Sequence, residues 1–297
     1  MKINNNYTCV NNETFINELN KIRNKTIPED IIFLIFSYIP KALNNANIYS
    51  VVNRYLSEDK NIKTEIIELY GVINDWDVSN VTNMRYLFCN AKSFNESLSN
   101  WNVSGVKNME GMFDGARLFN KSLENWNVSK VTIMDSMFQD ARYFDQSINN
   151  WNVSGVTNMN GMFACAYSFN KPLNNWNVSN VDNMKSMFQY GLSFDQPLNN
   201  WNVSNVRDMW GMFFDAKSFN QPLNNWNVSN VINMWGMFYK SSSFNQSLNN
   251  WDVSNVQNMD DMFHKSNKIN KRKKRKKRNI ILNKTIQFFN INNIFYR

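Results

Sequence analysis

The chain has 297 residues, with 32 basic and 24 acidic side chains and a formal charge of +8. Eight of the basic residues form the run KRKKRKKR from Lys271 to Arg278, so the rest of the chain is neutral, which argues against a nucleic-acid-binding domain with a broad cationic face. One histidine, His264, and three scattered cysteines, Cys9, Cys89 and Cys165, are too few parts for a His-based triad, a metal centre or a disulfide framework, and fit a reducing compartment.

No catalytic residue, cofactor or metal is therefore expected. With only nine glycines there is no Gly-rich phosphate loop either. No stretch approaches the ~20 apolar residues of a membrane span. Residues 1–25 are a polar leader. Its opening, MKINNNYTCVNNE, lacks the apolar core of a secretory signal. An intracellular location is expected, in the cytoplasm of a eukaryotic cell, or in the nucleus through the basic run.

From Thr26 the chain reads TIPEDIIFLIFSYIP. Ile31, Ile32, Ile35 and Phe36 make an apolar helix face behind Pro28, a residue suited to a helix N-terminus, and Pro40 ends that helix. A second apolar group follows: Leu43, Ile48, Val51, Val52, Tyr55 and Leu56. The pattern predicts a small all-α domain over residues 26–68, with more apolar surface than it buries by itself. Ile27, Pro28, Glu29, Ile31, Ile32, Ile35, Phe36, Tyr38 and Pro40, with the later Val52-Asn53-Arg54-Tyr55, resemble an F-box. The resemblance implies that Ile27, Pro28, Ile31, Ile32, Ile35, Phe36 and Tyr38 dock on the adaptor subunit of a cullin–RING ubiquitin ligase. A helical cap shielding the first repeat accounts for the same residues, and the two readings are compatible.

Over residues 69–268 the sequence repeats. Trp recurs at 76, 101, 126, 151, 176, 201, 226 and 251, eight times at a spacing of 25, and Ser, Met and Phe columns follow it without insertion. Fixed periods of this size mark units that cannot bury an apolar face alone. Within one unit, Leu198-x-x-Trp201-x-Val203 suits a short strand with Trp and Val inward. Met209-x-x-Met212-Phe213-x-x-Ala216 places apolar residues at i, i+3, i+4 and i+7, one face of a helix, which Asp208 would cap. The reading is an α/β solenoid of eight strand–turn–helix coils. The unit SFNQPLNNWNVSNVxNMxxMF, as at Ser218 to Phe238, resembles the 25-residue repeat of the BspA-like leucine-rich-repeat family. That resemblance implies a protein-binding scaffold. The recurrent Asn-Val-Ser triplets, for example at Asn102, Asn127 and Asn152, are read as turns held by Asn and Ser hydrogen bonds, and as glycan acceptors only in a secreted chain.

Columns that are uniform along the chain are structural, so partner information must sit in those that vary. One runs Arg85, Glu110, Asp135, Asn160, Lys185, Trp210, Trp235, Asp260, and another, four residues on, runs Cys89, Asp114, Gln139, Ala164, Gln189, Phe214, Tyr239, His264. Adjacent on a helix, they form one stripe, which in units six and seven becomes Trp210, Phe214, Trp235 and Tyr239. Exposed aromatic clusters mark partner sites. A C-terminal tail packing Phe288, Phe289, Phe295 and Tyr296 over them would explain the same residues.

The tail, 269–297, reads as basic and disordered. Its run Lys271, Arg272, Lys273, Lys274, Arg275, Lys276, Lys277 and Arg278 is a localisation or anionic-surface segment, a solvated tail, or the remnant of a slipped reading frame that replaced a repeat. Nucleic acid is expected as a partner only through this run. The function expected is a non-enzymatic, F-box-type receptor that presents a captured protein substrate to a ubiquitin ligase; the alternative is a plain interaction or adhesion scaffold with a helical cap.

Overall fold

The structure, a computed structural model, describes residues 42–266, all within a compact unit that begins at Ala42. The F-box-like residues Ile27, Pro28, Ile31, Ile32, Ile35, Phe36 and Tyr38 lie outside the described residues, as do the basic run Lys271–Arg278 and the tail beyond it.

Two helices precede the repeats. Helix α1, Ile48–Tyr55, buries Ile48, Val51, Val52 and Tyr55, the i, i+3, i+4, i+7 face that its sequence carries. Helix α2, Lys60–Tyr70, starts where the Asp59 side chain accepts the N–H of Asn61 and stops at Gly71, whose φ is +78°. Both pack on the first coil. Tyr55 meets the Trp76 ring edge-on at 5.2 Å and donates its hydroxyl to Glu96. Lys63 reaches Glu96 at 3.0 Å, and the Leu43 N–H donates to Asp77. Leu43, Ile48, Val51, Val52, Tyr55 and Ile66 are thereby joined to one continuous core with the repeats. The second apolar group of the sequence is a cap, and Val52 and Tyr55 of the F-box-like pattern are spent in it.

The expected strand–turn–helix unit is not what these residues form. Among the described residues, beyond the end of α2 and one 3-10 turn at Ile73–Asp75, the repeats contain no helix and no strand, only consecutive turns and single-residue parallel bridges such as Asp208↔Asn233 and Asn233↔Asn258. The expectation of an α/β solenoid is therefore wrong, for a physical reason visible in one coil. From Met209 to Ala216 alternate N–H groups turn to different partners. Those of Met209, Gly211, Phe213 and Asp215 donate to the carbonyls of Asn233, Trp235, Met237 and Tyr239 in the next coil. Those of Met212, Phe214 and Ala216 donate three residues back, to Met209, Gly211 and Phe213. A chain of β-turns with every second amide spent on its neighbour leaves nothing for i→i−4 bonds. The geometry requires left-handed backbone at two positions per coil, here Gly211 (φ +56°) and Asp215 (φ +54°). Type II turns make the same demand of their third residue.

The expected strand fails in a complementary way. Trp201 and Val203 do point inward and are buried, but among the described residues no backbone-to-backbone hydrogen bond links this stretch to the next coil. What carries it is the indole: Trp226 Nε1 donates to the Leu198 carbonyl at 2.8 Å, and the Trp at every 25th position from Trp101 to Trp251 makes the same contact 28 residues back.

The core is a set of ring ladders. Phe113 stacks on Phe138 at 5.6 Å, Phe119 on Phe144 at 6.1 Å, and Phe113 on Phe119 within its own coil at 4.1 Å. Each such fully buried Phe contributes on the order of 1.5–3 kcal/mol of transfer free energy. Polar ladders hold the outside. Asp208 and its Asn equivalents accept the N–H two residues on (Trp210 N–H to Asp208 Oδ1, 2.8 Å), so the capping expected of Asp208 is present as an Asx turn without a helix behind it. The Asn-Val-Ser triplets form the turns expected of them: Ser104 donates its N–H and hydroxyl to Asn102 Oδ1. A further column, Asn120, Asp145, Asn170, Asp195 and Asn220, passes one hydrogen bond from coil to coil, each side-chain oxygen accepting the backbone N–H of its successor at 2.9–3.0 Å.

Candidate functional site

The turn wall from Met209 to Ala216 also sets the variable columns. Buried Met209, Met212, Phe213 and Ala216 take the inside, which leaves positions 210 and 214 facing outward. Since Gly211 N–H is bonded to the Trp235 carbonyl, residue 210 of one coil is held beside residue 235 of the next. Trp210 and Trp235 consequently stack at 5.0 Å with their planes 12° apart. Phe214 stacks on Tyr239 at 4.4 Å and lies 6.3 Å from Trp235. The four aromatics picked from the sequence are thus one cluster, each ring half-buried.

Two residues that the sequence pattern did not single out as part of the patch extend it. Lys185 Nζ lies 4.9 Å from the Trp210 ring centroid, closing one end as a cation–π contact. Tyr190 meets Phe214 edge-on at 5.5 Å. The signal for Lys185 was available, since it precedes Trp210 in the same column. At the other end His264 stacks on Tyr239 at 5.1 Å, its Nδ1 3.5 Å from Asp261. Ring faces are therefore used within the ladder, and ring edges meet solvent. The same coils carry a polar recess of about 380 Å³ lined by Asn205, Arg207, Asn230, Ile232, Asn255 and Gln257.

In the earlier coils this wall is polar and internally paired. Arg85 bridges to Glu110 at 2.9 Å, Asn160 donates to Asp135 at 2.8 Å, and Gln139 donates to Asp114 at 3.3 Å. Burial raises the carboxyl pKa of Asp114 and Asp135 above the ordinary value. At Asp140 burial acts in the same direction, but hydrogen bonds from Arg142 (2.7 Å) and Arg117 (2.9 Å) outweigh it and hold that carboxyl low. Cys89 and Cys165 are free thiols, each pushed up by burial and so poor in thiolate. Among the described residues no three His, Cys, Asp or Glu side chains are placed to hold a metal ion, and no helix is long and apolar enough to cross a membrane.

These features define a repeat protein of stacked 25-residue turn units with an aromatic ladder on its outer wall. The family model described as "Mycoplasma protein of unknown function, DUF285" matches residues 58–176 and again residues 166–277, and the chain belongs to that family. No curated protein and no solved structure matches the chain.

Proposed function

We infer that the protein is a non-enzymatic binding scaffold that captures a protein partner on the ladder formed by Trp210, Phe214, Trp235 and Tyr239. The observation that supports this most is the placement of four half-exposed aromatics in one cluster, on columns that elsewhere carry polar, charged or small residues. The buried Phe and Trp ladders already hold the coils together, so the outer rings are surplus to the core. Large aromatics at half-exposed positions are typical anchors of protein interfaces. Replacing Trp210 and Trp235 by Ser tests the reading. Partner recovered from cytosol by wild type should be lost with the double variant while its melting temperature stays within a few degrees. Unchanged recovery refutes the reading, and a collapse of soluble protein assigns the rings to the core.

A narrower form adds the recruitment role: an F-box-like segment holds a ligase adaptor while the ladder presents the captured protein. Its support is the sequence resemblance at Ile27, Pro28, Ile31, Ile32, Ile35, Phe36 and Tyr38. Val52 and Tyr55 of the later half of the pattern are buried in the cap, which leaves Asn53 and Arg54 as its accessible side chains. Adaptor and cullin should co-purify with wild type from eukaryotic cytosol and be lost on changing Pro28 and Ile31; their absence from wild type refutes this form alone.

A further inference from the structure

Coils two and three depart together from the repeat at one corner of the stack, four coils away from the aromatic ladder. One column is Ser in every other described coil, at 93, 168, 193, 218 and 243, but is Leu118 and Tyr143 here. These two side chains are 46% and 58% exposed, in a lattice that buries most of its large apolar residues. Each follows an arginine, Arg117 or Arg142. Register brings the two departures together. The Tyr143 N–H donates to the Arg117 carbonyl at 3.2 Å, as the Leu118 N–H does to that of Lys92 at 3.1 Å.

Asp140 holds both guanidinium groups side by side. Its Oδ1 accepts from Arg142 Nε at 2.7 Å and its Oδ2 from Arg117 Nε at 2.9 Å. Arg142 Cζ also lies 5.3 Å from the Tyr167 ring centroid, which fixes that side chain further. Only Nε of each arginine is spent, so among the described residues the Nη groups of both are left without a hydrogen-bond acceptor. Stability does not account for the arrangement. Exposed ion pairs contribute little, and the Phe113–Phe138 and Phe119–Phe144 stacks already join these coils. Nor does an ion triad require an exposed Leu118 or Tyr143.

We propose that this corner docks a phosphorylated segment of a protein partner, with the phosphate on Arg117 and Arg142 and a neighbouring apolar side chain on Leu118 and Tyr143. The guanidinium forks choose between anions. A carboxylate carries one charge, and a single fork satisfies both its oxygens. A phosphate monoester presents three acceptor oxygens and close to two charges, which suits two forks held side by side. The surrounding charges agree. Lys92, Arg117 and Arg142 outnumber Asp114 and Asp140, and Asp114 is already engaged by Gln139 at 3.3 Å. The site is separate from the ladder of coils six and seven, so either can fail without the other.

The test measures binding of fluorescent degenerate peptide libraries to the full chain, with phosphoserine or phosphotyrosine at the centre and Leu beside it. The same libraries with Ser, Tyr or Glu at the centre should bind at least about tenfold more weakly. Arg117→Lys/Arg142→Lys keeps both charges and removes the forks, while Leu118→Ser/Tyr143→Ser restores the residue that the other coils carry. Each double variant should weaken phosphopeptide binding by about tenfold at an unchanged melting temperature, and Trp210→Ser/Trp235→Ser should leave it as in wild type. No binding of either phosphopeptide library overturns the proposal. So does equal binding of the unphosphorylated or Glu libraries, retention in either double variant, or loss with the ladder variant. Equal competition by inorganic phosphate or by a single-stranded oligonucleotide also overturns it, since the corner would then read a bare anion or a nucleic acid. Should a variant fail to fold, chemical-shift mapping on labelled wild type answers the same question. Perturbations centred on residues 117, 118, 142 and 143 support the proposal, and perturbations centred elsewhere overturn it.

Discussion

Replacing Gly211 with Ala separates the turn structure from the helix that the sequence suggests. Inside a helix spanning Met209–Ala216, Gly→Ala gains about 1 kcal/mol. In the structure Gly211 has φ +56°, where a Cβ costs about 1–2 kcal/mol. Space adds no further penalty, since the nearest atoms to the new Cβ are Phe214 Cβ at 3.6 Å and Ser186 Oγ at 3.7 Å. The two accounts thus differ in sign and by ~2–3 kcal/mol. Guanidinium unfolding of wild type and variant, compared at their midpoints, resolves a difference of that size. A lower midpoint is expected, and a higher one refutes the turn account. Gly111 supplies an internal control. Its φ is also +56°, but an added Cβ would fall 2.0 Å from Tyr86 Cε1. Gly111→Ala should therefore destabilise more than Gly211→Ala, and adding Tyr86→Ala should remove the excess.

Asn170→Ala removes the acceptor of the Asp195 N–H (3.0 Å) and of Gln196 Nε2 (2.9 Å) while leaving the core intact, so a loss of about 1–3 kcal/mol is expected in the same assay; no loss would remove the polar ladder from the account. Asp135→Asn should raise the melting temperature at neutral pH. Burial, with Glu110 adding to it, lifts the folded pKa of Asp135 above its ordinary 3.8, so the folded state holds that proton more tightly than the unfolded chain and loses stability as pH rises through this range. The gap between variant and wild type should close below pH 3.8 and open above it; a gap widest in acid contradicts the assignment.

Much of the inside was legible in the sequence. Through the seventh coil the Trp, Val, Met and Phe columns are buried where a period of 25 places them, and the apolar group from Leu43 to Tyr55 does shield the first coil. The local backbone was misread because Met-x-x-Met-Phe-x-x-Ala fits two structures equally. A helix and a succession of β-turns both bring residues three and four apart to one side. The discriminating signal lay in the outward slots. Gly occupies the third position of the stretch at 111, 161, 211 and 236, and Asn or Asp the seventh at 90, 140 and 215, all with positive φ. Such residues are poor in a helix and natural in left-handed turns. The polar ladder was missed because its residues looked like linker. The telling feature is that Asn and Asp alternate there and share the one group it uses, a side-chain oxygen acceptor. The aromatic cluster, by contrast, was placed from two columns alone, because stacking in strict register converts a period in sequence into a neighbour in space.

The central claim is that alternate amides of each coil are spent on the next, which is what brings Trp210 and Trp235 face to face. Scalar couplings across hydrogen bonds, measured by NMR on the labelled full chain, test it directly. The account predicts a coupling from the Gly211 nitrogen to the Trp235 carbonyl, whose N···O distance is 2.8 Å, and one from Phe213 to Met237 at 2.9 Å. A coupling from Gly211 to the carbonyl of Arg207, the i→i−4 partner of a helix, would contradict it.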